Sequence, residues 1–143
     1  MTSSVHLAAF DALGTRRLYS LLQLRSSVFV VEQRCSYQDL DGRDVEPGTQ
    51  HAWIESGGSV VAALRVLDEG PERRIGRVCT HPAFRGKGLA TQLLQHALGA
   101  CAPPFVLAAQ QHLQQYYERL GFSADGAAFE ESGIVHIPMR RSA

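Results

Sequence analysis

Neither charge dominates this sequence. Lysine plus arginine and aspartate plus glutamate number 14 each among 143 residues, so no global basic field recruits nucleic acid, and any polyanion site must be local. No apolar run approaches the roughly 20 residues that a membrane helix needs. The opening MTSSVHLAAFDALG also lacks the basic stretch and long apolar core of a secretion signal. A soluble, cytoplasmic protein is therefore expected, without a nucleic-acid or membrane partner. Cysteine is scarce: Cys35, Cys79 and Cys101 are odd in number and have no CxxC spacing. Reduced thiols acting as small apolar side chains fit this better than a disulfide framework, and no metal site is expected. No repeat, low-complexity tract or linker divides the chain. Its length suits one core rather than two, so a single domain over 1–143 is expected.

What the sequence does contain is centred on Ile75 to Leu94, IGRVCTHPAFRGKGLATQLL. A β-branched run breaks at His81-Pro82, passes a glycine-rich loop at Arg85 to Ala90, and becomes a helix. Gly86 and Gly88 let successive main-chain N–H groups turn toward one anion, the helix dipole adds positive potential, and Arg85 and Lys87 bring mobile charge. Two other phosphate loops fit poorly. A P-loop would need a glycine where His81 stands and a hydroxyl where Gly88 stands. A dinucleotide fingerprint would need an acid about 20 residues on, and Thr91 to Tyr117 contains none. The bland alternative is a strand-to-helix turn with its basic residues in solvent.

Around this centre, alternation at Val5, Leu7 and Ala9 predicts a first strand. Thr15 is expected to cap a helix with Leu18, Leu21, Leu22, Arg25, Val28 and Phe29 on one face, ending near Val30. The run from Asp39 to Glu46 reads as a solvated acidic loop. Runs at His51 to Ile54 and Val60 to Leu67 flank Gly57-Gly58 as a hairpin, with Arg73 to Thr80 as the next strand. Leu89 to Cys101 is a helix. Phe105 to Ala109 is a buried strand that completes a βαβ crossover. His112 to Leu120 is a short helix stopped by Gly121, and Phe122 onward with Ile134 to Met139 forms a closing hairpin. The class is α/β with a mixed sheet.

The spacing Arg85-x-x-Gly88-x-Ala90, followed about 30 residues later by Gln115-Tyr116-Tyr117-Glu118-Arg119-Leu120-Gly121-Phe122, resembles the acyl-CoA loop and FYEKLGF signature of the GNAT superfamily of N-acetyltransferases. LQLRSSVFVVEQRCSYQDLDGRD and FEESGIVHIPM resemble its ElaA-like branch. The resemblance implies the GNAT acyl-CoA N-acyltransferase fold, a mostly antiparallel mixed sheet whose fourth and fifth strands splay apart around the pantetheine arm. It implies acetyl-CoA as co-substrate, with main-chain groups of Arg77, Val78, Cys79 and Thr80 pairing to the pantetheine. An amide near Val78 would polarise the thioester carbonyl. The amides of Arg85, Gly86, Lys87, Gly88, Leu89 and Ala90 would hold the pyrophosphate. Gln110 stands where the family often has Asn, which implies a side-chain contact to the cofactor, and Leu113 stands where it usually has Ala, which bears on the width of the groove.

Thioester aminolysis needs a neutral amine, a stabilised oxyanion and a protonated leaving thiolate. Tyr117 matches the family's general acid and Tyr116 its neighbouring aromatic, usually Phe; on a helix the two point about 100° apart. Without the resemblance, either would read as an ordinary core tyrosine. The fourth strand offers Arg77 and no acid, so the base candidates are Glu32 and His136, with His51 more distant and bulk water as a further route. A lone strand histidine also reads as a structural residue. The acids at 39–46, with Glu130 and Glu131, point to a cationic amine acceptor, whether a small molecule, a lysine or an N-terminus. The closing strands could pair into a homodimer. Two other functions stay open: a non-catalytic acyl-CoA-binding module, and an acyl-homoserine-lactone-synthase-like enzyme suggested by LRSSVF and the paired aspartates.

Overall fold

The computed structural model describes residues 4–143. One eight-stranded sheet runs through it. Its strands are β1 (His6–Ala9), β2 (Gln50–Ser56), β3 (Ser59–Asp68), β4 (Arg73–Thr80), β5 (Phe105–Gln110), β6 (Ser123–Ala124), β7 (Phe129–Glu131) and β8 (Ile134–Arg141). The order is β1-β2-β3-β4-β5-β8-β6, with β7 also on β8. The sheet is mixed and mostly antiparallel, as the sequence resemblance implies. Three α-helices flank it: α1 (Thr15–Arg25), α2 (Leu89–Ala100) and α3 (Gln114–Arg119). Among the described residues no helix is long and apolar enough to cross a membrane.

Strand β3 is central because its run VVAALRVL is buried on both faces, and a strand hydrophobic on both sides needs a layer over each. On one face Val61, Leu64 and Val66 pack with Leu93, Leu94 and Ala97 of α2. On the other, Val60 and Ala63 join Trp53, Cys79 and Leu21, Leu24, Val28 and Phe29 from the α1 segment. The β2–β3 hairpin turns at Gly57 and Gly58, both at positive φ (58° and 83°), as a turn matched to strand twist requires.

Helix α1 differs from expectation at both ends. Gly14, at φ 79°, holds the N-cap position and Thr15 is the first helical residue, with no side-chain cap. The α-helix stops at Arg25 and widens into a π-helical stretch over Ser26–Glu32. Val28, Val30 and Val31 are β-branched and lower the helix propensity of this stretch, where the regular α-helical spacing is lost. The segment then closes through Gln33 N–H to the Val28 carbonyl and Cys35 N–H to the Phe29 carbonyl, both 2.9 Å, with Arg34 left-handed between them.

The acidic loop is solvated only in part. Asp39 and Asp44 are buried beside Arg25 and Arg65. Arg25 Nη1 donates to Asp44 Oδ1 at 2.7 Å and its Nε to Asp39 Oδ2 at 3.2 Å. Arg65 Nη2 donates to Asp41 Oδ2 at 2.6 Å. Glu46 sits against Arg43. Arginines forced into the interior by an amphipathic helix and a core strand need anionic partners, and this loop folds inward to supply them.

The crossover through α2 makes β4 and β5 parallel, but only Arg73 opposite Phe105 and Arg74 opposite Val106 pair. Beyond them the strands part. Arg77, at φ 54°, lies in a bulge where β4 slips against β3 between Ala63 and Arg65, and such a bulge bends its strand. After β5 the chain makes a single 3₁₀ turn (Gln111–Leu113) before α3, so the helix predicted from His112 starts later. Gly121 ends it at φ 92°. The closing strands form as the β7–β8 hairpin over Ser132-Gly133, with β8 filling the far side of β5.

Candidate active site

At the end of β4 the chain makes a 3₁₀ turn, Pro82–Phe84, in which His81 Nδ1 accepts from the Ala83 N–H. Gly86 and Gly88 follow, both at φ 75°. A Cβ at either would meet nothing within 4 Å, so the left-handed backbone, not lack of room, calls for glycine. Gly88 is the N-cap of α2 and no side chain caps that end. The first-turn amides therefore remain available to an anion. Lys87 Nζ lies 5.2 Å over the Phe84 ring. Arg85 is committed: its two terminal nitrogens donate to the two Glu32 carboxylate oxygens at 2.6 Å each, and its Nε to the Thr80 carbonyl at 3.0 Å.

Where β4 and β5 part, a chamber of about 520 Å³ opens between the strands, lined from both cores. Gly76, Arg77 and Val78 of β4 form its floor, and Leu107, Ala108 and Gln110 of β5 the facing wall. The segment from Gln33 to Arg43 makes a second wall, and Phe129, Glu131 and His136 of the closing hairpin a third. Leu113 and Tyr117 stand where α3 meets it. Leu113 also packs on the α2-side core.

Tyr117 is 6% exposed, and its ring packs edge-on against Tyr116 at 5.2 Å and Phe122 at 6.0 Å. Burial pushes its phenol well above the ordinary value, so the group keeps its proton and can only give it to a stronger base formed beside it. Tyr116 turns elsewhere, its hydroxyl meeting Thr91 Oγ1 in the first turn of α2 at 2.6 Å. Tyr117 has no hydrogen-bond partner of this kind among the described residues.

The structure separates the candidate bases. His136 lines the chamber opposite Gln110 in the β5–β8 register. It stacks on Phe129 at 5.6 Å, and its Nδ1 donates to the Ile134 carbonyl at 2.8 Å. A carbonyl can only accept, so the neutral ring has its lone pair on Nε2. Glu32 is exposed, is not part of the chamber lining, and is held below the usual carboxylate range by its hydrogen bonds from Arg85. His51 is buried outside the chamber, its Nε2 on the Asp44 carbonyl at 3.1 Å.

The remaining predicted residues divide between main-chain and side-chain positions. From Arg77 to Thr80, β4 has no strand partner toward β5. Arg77 packs over the Tyr37 ring at 4.7 Å and pairs with Asp39 and Asp41. The Cys79 thiol faces the α1-side core, where burial pushes it up to about 12, and is inert as a nucleophile. Gln110 Nε2 donates to Gln33 Oε1 at 3.3 Å. Sequence reasoning missed Gly76, Tyr37 and the inward turn of the acids. The available signal was two arginines at apolar positions, Arg25 in the α1 stripe and Arg65 in β3. Among the described residues no group of three or more His, Cys, Asp or Glu side chains is arranged to hold a metal ion.

Residues 19–143 match the acetyltransferase (GNAT) domain family. A UPF0039 protein of Mycobacterium tuberculosis is 43% identical over 147 residues, covering 99% of this chain and 94% of that protein. The crystal structure of an acyl-CoA N-acyltransferase from Pseudomonas aeruginosa superposes with a TM-score of 0.94 at 42% identity, covering 99% of this chain and all of that one. Escherichia coli ElaA gives 0.91 at 37% identity with the same coverage.

Proposed function

This chain belongs to the GNAT acetyltransferase family, and from that premise we propose that it moves an acetyl group from acetyl-CoA to a primary amine by direct attack on the thioester. The observation carrying this reading is the parting of β4 and β5, with uncapped loop amides at one end, a polar chamber in the gap and a buried tyrosine lining it. A diphosphate fits the turn at Gly86 and Gly88, where N–H groups converge on a helix start and no Cβ intervenes. An extended pantetheine fits the open side of β4 as an added strand. The Val78 amide would polarise the thioester carbonyl and stabilise the oxyanion.

In the transfer, the amine nitrogen bonds to the carbonyl carbon as the carbon–sulfur bond breaks. The surplus amine proton goes to His136 Nε2 and on to solvent, Tyr117 gives its proton to the departing sulfur, and the phenolate takes a proton back from solvent as the products leave. Glu32 is not the base in this scheme, because it lies outside the chamber lining. A cationic acceptor no longer rests on the loop acids, which are held in ion pairs with arginines. It rests on Glu131, an acid in the chamber lining without an ion-pair partner among the described residues.

Steady-state kinetics with acetyl-CoA and a panel of mono- and diamines test both points. Tyr117→Phe should lower kcat about 10²-fold and leave coenzyme A affinity nearly unchanged. Glu131→Gln should raise KM for diamines more than for monoamines. If the wild-type protein binds coenzyme A yet releases no thiol with any amine, a non-catalytic acyl-CoA-binding role replaces this one. An unchanged kcat in Tyr117→Phe removes Tyr117 as the acid.

A further inference from the structure

Glu32 and Gln33 are adjacent in sequence, yet they reach opposite lips of the β4–β5 opening. Glu32 grips Arg85 beyond the end of β4 through two bonds of 2.6 Å, and Gln33 takes a hydrogen bond from Gln110 at the end of β5. These two partners are residues to which cofactor contacts are ascribed above, and one acceptor-side segment holds both. We propose that Glu32 is an internal competitor for Arg85, and that Glu32-Gln33 forms a strap across the opening which the diphosphate of acetyl-CoA displaces as it binds. The inference rests on the reading of Arg85 to Ala90 as the diphosphate site.

Several features make the exchange workable. A fork-to-fork guanidinium–carboxylate pair has the geometry a phosphate would also take. Both side chains of the pair are 42% exposed, and such solvated pairs are weak. A diphosphate brings more charge than one carboxylate and also meets the loop amides. The Nε bond from Arg85 to the Thr80 carbonyl does not involve Glu32, so the guanidinium stays at the strand end when its carboxylate partner leaves. The displaced segment begins the chamber wall that runs to Arg43, so cofactor binding loosens the acceptor side.

Titration calorimetry of the full chain at low ionic strength tests this, with coenzyme A and with pantetheine, which lacks the diphosphate. Glu32→Gln should tighten coenzyme A about two- to fivefold, leave pantetheine binding unchanged, and have no effect in an Arg85→Ala background. Weaker or unaltered coenzyme A binding by Glu32→Gln would overturn the strap, since Glu32 would then be orienting Arg85 or doing nothing. Tightening that persists in Arg85→Ala would overturn it in favour of plain charge repulsion. A wild-type protein with no affinity for coenzyme A would overturn the diphosphate site itself, a result distinct from either of these.

Discussion

A glycine inside a strand weakens it by roughly 0.5–1 kcal/mol relative to alanine unless something uses the missing side chain. Gly76 has ordinary strand geometry, and a Cβ there would meet nothing within 4 Å. Neither backbone conformation nor a crowding neighbour explains it, and the space it leaves belongs to the chamber floor. Gly76→Val should therefore fold at least as well as wild type, with an equal or higher melting temperature. It should bind coenzyme A normally and lose turnover on bulky amines before small ones; equal losses across an amine size series would refute this role. At this scale the sequence made Tyr117 and the paired glycines legible, because motif spacing carries them. It could not reveal that Glu32 meets Arg85 across 53 positions, or that the Ile134 carbonyl fixes the His136 tautomer. Those are facts of distance.

Among elements, the order of strands and helices followed from periodicity and turn residues, and the parallel β4–β5 pair followed from the length of the crossover. Two departures share a cause. The wall of the chamber comes from the end of α1 and the loop after it, and both are shaped by buried charge that composition does not disclose. Arg25 lies in the apolar stripe of α1 at 1% exposure, and its carboxylate partners are 14 and 19 residues away. Arg25→Met removes the cation and strands part of the acid cluster, so it should destabilise the fold by about 3 kcal/mol, measured by urea unfolding. A loss below about 1 kcal/mol would mean that Arg65 and Arg77 alone hold the loop.

For the molecule as a whole, the same network sets the response to pH. Burial holds the His51 pKa below its ordinary value, so an unfolded chain binds that proton more readily than the folded one. The associated stability is complete above the unfolded pKa of about 6.5 and falls as pH drops below it. Hydrogen bonds from Arg65 keep the Asp41 pKa low, and ion pairing with Arg25 and Arg65 outweighs burial at Asp44. Their contribution is complete above the ordinary carboxylate range near 4 and falls below it. Melting temperature should therefore decline in two separate steps on acidification. His51→Gln should abolish the upper step, and an upper step that survives in that variant would assign it to another group.

The divergence of β4 and β5 explains why Arg77 to Thr80 carries no recognisable signature. Whatever lies against that length of chain is met by peptide groups, and every residue type except proline presents the same ones. Point substitutions there can alter bulk or charge, yet they cannot erase the grip itself. On the reading proposed above, the thioester arm would be gripped there by groups that no side-chain replacement removes.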